Sequence, residues 1–190
     1  MDVLSALAWL LVAALLAWSI WTFNRLVRAR NLVRAAFSDI DVQLQRRHDL
    51  VPQLVEAVSA YARHEKSVFT ETVDLRNRAE TADRIEDRER AEAQLAERID
   101  RLVLLAEDYP ELKAAENFRQ LMTDLVDVED HLQHARRFYN GAVRALNDRV
   151  QQFPDLLIAR AAGFRTAPFF DAAVQARGVP RLDLSPVASA

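Results

Sequence analysis

The chain has 190 residues, 51% of them hydrophobic and 28% charged, with three Gly and no Cys. Its 25 basic residues are 23 Arg with Lys66 and Lys113, and they stand against 28 acids for a net charge of −3. Cys absence excludes disulfides, thiolate metal sites and Cys nucleophiles; scarce Gly disfavours folds rich in tight turns and phosphate loops; net acidity disfavours nucleic acid as a partner.

Residues 3–23 carry no charge. At about 1.5 Å per residue they make roughly 31 Å of helix, enough to cross a hydrocarbon core of about 30 Å. Trp18 and Trp21 fall where an interfacial belt is expected. Met1 and Asp2 precede the stretch, whereas Arg25, Arg28, Arg30 and Arg34 follow it without an intervening acid. That bias predicts a single-pass anchor with the amino terminus outside and the remainder cytoplasmic. A cleaved signal peptide would need a positive leading segment and a shorter apolar core. Ala13 and Ala17 form a small-xxx-small pair on the anchor.

A heptad pattern follows. Val33, Ile40, Arg47, Leu54, Tyr61, Val68 and Leu75 recur at intervals of seven, and Phe37, Leu44, Val51, Val58, Glu65, Thr72 and Ala79 fall four residues later. The register crosses Pro52 without a slip, which favours a kinked helix over a reversal there; the alternative is a new helix capped by Asp49. Asp83 and Glu86 have capping-box spacing, predicting a turn and a helix running to about Glu107 with Leu95, Ile99 and Leu102 on its apolar face. Pro110 opens the next helix, expected to continue to Phe153 along Leu121, Leu125, Val128, Leu132, Tyr139, Leu146 and Val150. Pro154 ends it, a short helix over residues 156–158 follows, and Gly163 stops that one. Phe164, Phe169 and Phe170 are expected to dock on the bundle, ahead of an extended or mobile tail. The fold class is therefore all-α: an anchor over 1–24, an antiparallel bundle of long helices over 25–163, and an aromatic docking segment with a tail over 164–190.

The helix opened by Pro110 is expected to be about twice as long as the one before it. Part of its apolar stripe then lacks neighbours within one chain, so a second copy or another protein should cover it. Polar residues beside the stripes are the candidate recognition elements. Arg47 and Glu65 fall in core phase on the first heptad, either as a buried pair or at the edge of the seam. Gln133, Asn140 and Asn147 repeat every seven residues beside Tyr139. His131 and His134 lie one turn apart near Asp127 and Asp130, the arrangement a metal-dependent enzyme would need, yet no Glu-x-x-His occurs. His48 and His64 read as surface residues without a nucleophile beside them. The charge run from Glu80 to Arg101 reads as a solvated helix face. No catalytic residue, cofactor or metal site is assigned.

Four ordered segments carry a family resemblance: residues 39–56 (DIDVQLQRRHDLVPQLVE), 109–118 (YPELKAAENF), 135–147 (ARRFYNGAVRALN) and 153–164 (FPDLLIARAAGF). Together they resemble the LemA family of bacterial membrane proteins. Gln53 stands where that family commonly has Asn, and Leu146 where an aromatic is usual. The resemblance implies an N-terminal anchor, a cytoplasmic helical bundle and a bacterial inner-membrane location. It supplies no reaction, and it marks Arg47, Asp49, Pro52, Tyr139, Asn140, Arg144 and Asn147 as structural or partner-facing positions. The sequence thus reads as a non-enzymatic, self-associating scaffold that recruits envelope proteins. Contact of Arg25, Arg28, Arg30 and Arg34 with anionic lipid is the main alternative.

Overall fold

The computed structural model describes residues 2–62, 64–82 and 85–170, with the backbone alone at 85 and 86. The expected capping box at Asp83 and Glu86 and the expected mobile tail therefore lie outside the described residues. Every regular element among them is helical: α1 (Val3–Ser59), α2 (Lys66–Thr81), α3 (Ile85–Glu107), α4 (Pro110–Ala114), α5 (Glu116–Gln151) and α6 (Asp155–Ala161).

The 57-residue α1 is about 85 Å long. Its residues 3–23 are long and apolar enough to cross a membrane, and no part of the most apolar window is buried. From Thr22 onward the helix enters the bundle, where Leu26, Val33, Ala36, Ile40, Leu44, Val51, Leu54 and Val58 form one buried stripe. α5 runs antiparallel beside it: Arg47 meets Glu129, and ten residues away on each helix Phe37 meets Tyr139. The core divides at that crossing. On the side of the apolar segment, α1 and α5 pack with Ala159 of α6 and with Phe164 and Phe170. On the other side, α1, α2, α3 and the start of α5 surround Val51, Leu54, Leu95, Leu102, Phe118 and Leu121.

Pro52 lies inside α1, as the unbroken register predicts. A proline has no N–H to donate four residues back, so the His48 carbonyl lacks its helical partner. Arg76 of α2 supplies the missing donor, with Nε 3.3 Å from that oxygen. Arg76→Ala removes it, and thermal unfolding of the full chain in detergent should report a loss of about 1–3 kcal/mol; an unchanged melting temperature would show that water replaces the arginine.

Three expectations need correction. The first heptad does not belong to one helix: the chain reverses after Ser59, leaving Tyr61 exposed and Glu65 at the start of α2. The register survives because α2 presents its own stripe, Val68, Thr72, Leu75 and Ala79, to the same core, and heptad spacing is blind to a reversal that keeps phase. Second, the helix expected from Pro110 to Phe153 is interrupted at Ala115, whose extended backbone (ψ 128°) separates α4 from α5. Third, the long seam is not short of neighbours. α5 spans about 54 Å and the bundle part of α1 about as much, so Leu121, Leu125, Val128, Leu132, Tyr139, Leu146 and Val150 are all buried within one chain. The length comparison with α3 had set α5 beside the wrong partner, and only Phe153 at its far end stays exposed.

α6 ends as its glycine suggests. Gly163 adopts φ 72°, while the Phe164 and Gly163 amides donate back to the Ala159 and Arg160 carbonyls at 2.9 and 3.2 Å. This paired closure at a left-handed glycine turns the chain back across α5 and delivers Phe164 into the core.

Candidate functional site

At the division of the core, three helices, α1, α3 and α5, contribute to one polar node. Arg47, 4% exposed, places Nη2 2.5 Å from Glu92 Oε2 and Nη1 3.1 Å from Glu129 Oε2. His48 Nε2 lies 2.7 Å from the other Glu92 oxygen. Burial opposes ionisation of Glu92, but the hydrogen bond from His48 and the charges of Arg47 and His48 outweigh it and hold the carboxyl below its ordinary range. An ionised carboxylate only accepts, so Nε2 of His48 carries the proton in this contact. One turn back on α3, Arg88 adds a 2.6 Å ion pair to Asp41 of α1.

The node corrects two sequence readings. His48 is buried, not a surface histidine, and Arg47 pairs with Glu92 and Glu129 rather than with Glu65. Glu92 was missed inside the charge run, although it falls seven residues before Ile99 and shares the phase of the α3 seam. Asp49 and Pro52 lie on the exposed side of α1, where Asp49 Oδ1 accepts from Gln45 at 3.0 Å. Gln53 is exposed and donates to the Asp49 carbonyl, and Leu146 is buried.

The Tyr139–Asn140–Asn147 stripe is occupied by the chain's own residues 167–170. The Asn147 amide donates to the Ala167 carbonyl at 3.0 Å and accepts from its N–H at 2.8 Å. Asn140 makes the same pair of bonds with Phe170. Seven residues of helix advance about 10.5 Å and three residues of extended chain about 10 Å, so two asparagines one heptad apart clip backbone groups three residues apart. Tyr139 donates its hydroxyl to the Pro168 carbonyl at 3.0 Å; burial, with the charge of Glu89, raises its pKa and keeps it a neutral donor. Arg144 is exposed, and Gln133 hydrogen-bonds Glu129 instead of joining the clip. These residues therefore fasten a strap, and the stripe does not offer a free surface to a partner.

The basic residues after the apolar segment do not act alike. Arg25 is half-buried over the Trp21 ring at 4.3 Å, and Arg30 stacks on Phe164 at 5.0 Å. Arg28 and Arg34 are exposed. His131 and His134 are also exposed, the first against the Asp127 carbonyl and the second against Arg137. Among the described residues, no three His, Asp or Glu side chains gather around a point where a metal could sit.

One surface cavity is apolar inside. Between α3 and α5 lies a groove of about 400 Å³, lined by Ile99, Val103, Met122, Leu125 and Val126, with Asp100 and Glu129 at its edge and Arg47 at its floor. Val126 is 57% exposed, which leaves the groove open to a partner.

These features define a helical bundle carried on one long N-terminal helix whose first part is apolar, with Arg47, His48, Glu92, Tyr139, Asn140 and Asn147 spent on internal fastening. The LemA family profile matches residues 36–184, and the chain belongs to the LemA family. It is similar to magnetosome protein MamQ 2 of Paramagnetospirillum magneticum, 25% identical over 185 residues that cover 84% of this chain and 68% of the relative. MamQ of Magnetospirillum gryphiswaldense is 24% identical over 195 residues, covering 89% of this chain and 72% of the relative.

Proposed function

We propose that the protein is a membrane-anchored, non-enzymatic adaptor of the bacterial inner membrane. Residues 3–23 serve as the anchor with the amino terminus outside, and the cytoplasmic bundle offers the α3–α5 groove to a helix of another membrane or envelope protein, or of a second copy. The observation that carries this reading is the groove itself: an apolar trough between two helices, open at Val126 and edged by Asp100 and Glu129. Such a trough suits an amphipathic helix, and its acids suit basic flanking residues on that helix. The relatives are named magnetosome proteins, which supports a membrane-associated role for this chain. The α5 seam is already filled by the chain itself, so it is not the surface offered for self-association.

A photo-crosslinking amino acid placed at Val126 in cells tests the proposal against the same group at exposed Asn77 on α2. A discrete product from Val126 alone is expected, reduced several-fold by Asp100→Arg. A product containing only this chain identifies the partner as a second copy. Equal labelling from both positions, or none from Val126, removes the groove from consideration.

A further inference from the structure

The end of the bundle nearest the apolar segment has a composition unlike the rest of its surface. Extending the antiparallel register from the Phe37–Tyr139 contact by eleven residues on each helix sets Val150 beside Leu26, and both belong to one core cluster. The α5–α6 turn then stands level with Trp21 and Phe23, and Phe23 indeed meets Phe164 at 5.8 Å. Phe153 in that turn is 78% exposed and Leu157 on α6 is 55% exposed. Large apolar side chains so placed, beside exposed Trp21 and Phe23, form a tip directed at the level where the apolar segment ends.

Arginines surround this tip. A groove of about 400 Å³ between α1 and α5 is lined by Trp21, Arg25, Arg28, Leu32 and Arg149. Arg149 Nη1 is buried there with no hydrogen-bond partner. Counting from residue 23 at 1.5 Å per residue, Arg25 lies about 3 Å and Arg28 about 7.5 Å beyond the apolar stretch. The headgroup layer on each side of a hydrocarbon core is about 5–7.5 Å thick, so Arg25 falls within it and Arg28 at its outer edge. Arg160 and Arg165 add exposed charge from α6 and the strap; among the described residues, Asp148 and Asp155 are the acids at this end, and the arginines outnumber them.

We propose that this end of the bundle is a binding site for the phosphate headgroup of an anionic phospholipid, held by Arg25, Arg28 and Arg149 while Phe153 and Leu157 enter the interface. The inference rests on the anchor reading for residues 3–23. It explains two otherwise costly features, an exposed Phe on a turn and a buried arginine nitrogen without an acceptor. A bilayer supplies both apolar depth and phosphate oxygens at the right height, whereas free phosphate supplies only the latter.

The chain has no cysteine, so single-site labelling is clean. The full chain carrying Phe153→Cys with an environment-sensitive fluorophore is reconstituted into phosphatidylcholine vesicles with and without phosphatidylglycerol. A blue shift and quenching by shallow lipid-borne nitroxides are expected, stronger with phosphatidylglycerol, while a label at Leu104→Cys stays in water. In native mass spectrometry from detergent, retained phosphatidylglycerol should fall about fivefold for Arg149→Gln and likewise for Arg28→Gln. Arg28 is exposed, so its variant decides the matter should Arg149→Gln fail to fold. Retention of phosphatidylcholine equal to phosphatidylglycerol, or displacement of the lipid by millimolar inorganic phosphate, overturns the assignment. Release of the protein by alkaline carbonate shows instead that the anchor reading fails, while a retained protein whose label at 153 reports water overturns this inference alone.

Discussion

Glu92→Ala is expected to lower stability by about 3–5 kcal/mol, because it strands Arg47 and His48 in the core without their shared acceptor. For a chain of this size that corresponds to roughly 6–20 °C in the melting temperature, readable by circular dichroism of the full chain in detergent. Arg47 retains Glu129, but that carboxylate is 45% exposed and bonds a single guanidinium nitrogen. The charge itself is not what the bundle needs. Replacing both partners, Arg47→Met with Glu92→Met, should cost less than the sum of the two single losses, since the Arg47 charge is no longer left without Glu92 and only His48 still loses its acceptor. Strict additivity would show that the two residues act independently.

The same node sets an acid limit. The folded carboxyl of Glu92 titrates below its ordinary value of 4.5, so the unfolded chain binds the proton more readily. Its contribution is complete above about pH 4.5 and is lost as the pH falls through the lowered folded value. Glu92→Gln should flatten that part of the stability–pH curve; an unchanged slope would assign the acid sensitivity to other carboxylates.

Periodicity made the stripes legible. Spacing alone located the buried faces of α1, α3 and α5, the start at Pro110 and the stop at Gly163. It could not say which segment faces which stripe. The reversal at residues 60–65 carries no Gly or Pro and keeps heptad phase, so one helix and two helices read alike. The same blindness paired α5 with α3 in length, when α1 is its true neighbour, and so argued for a missing partner that the chain itself provides. Polar residues were harder still. Asn140 and Asn147 stood out by spacing, but an asparagine beside a seam looks the same whether it holds a second chain or the strap that follows it. Glu92 and His48 were hidden by charged sequence neighbours, because local composition reports hydration of the segment and not the pairing of one side chain across helices. The LemA resemblance marked Arg47 and Tyr139 as important without revealing that Glu92 and residues 167–170 complete them.

Phe170→Ala is expected to open the strap. Its ring is 1% exposed, meets Tyr139 edge-on at 6.3 Å and lies beneath the Arg136 guanidinium at 5.1 Å. Truncating a buried Phe costs about 3–5 kcal/mol. Residues 165–170 lie outside any helix and are held to α5 by side-chain bonds and by Phe170, so the loss falls mainly on local opening rather than on the global transition. Two to three and a half decades in the opening equilibrium then follow. Arg165 is exposed on the strap and is a tryptic site, so cleavage after it, followed by mass spectrometry, should accelerate about 100- to 3,000-fold while opening remains fast relative to cutting. Asn140→Ala should act in the same direction with about 1–3 kcal/mol, since it leaves both the N–H and the carbonyl of Phe170 without partners. Arg144→Ala, one turn along the same helix but exposed, should leave the rate unchanged. Equal cleavage rates in all three variants would mean that the clip does not hold the strap, and that Phe164 with its glycine closure is sufficient to keep it in place.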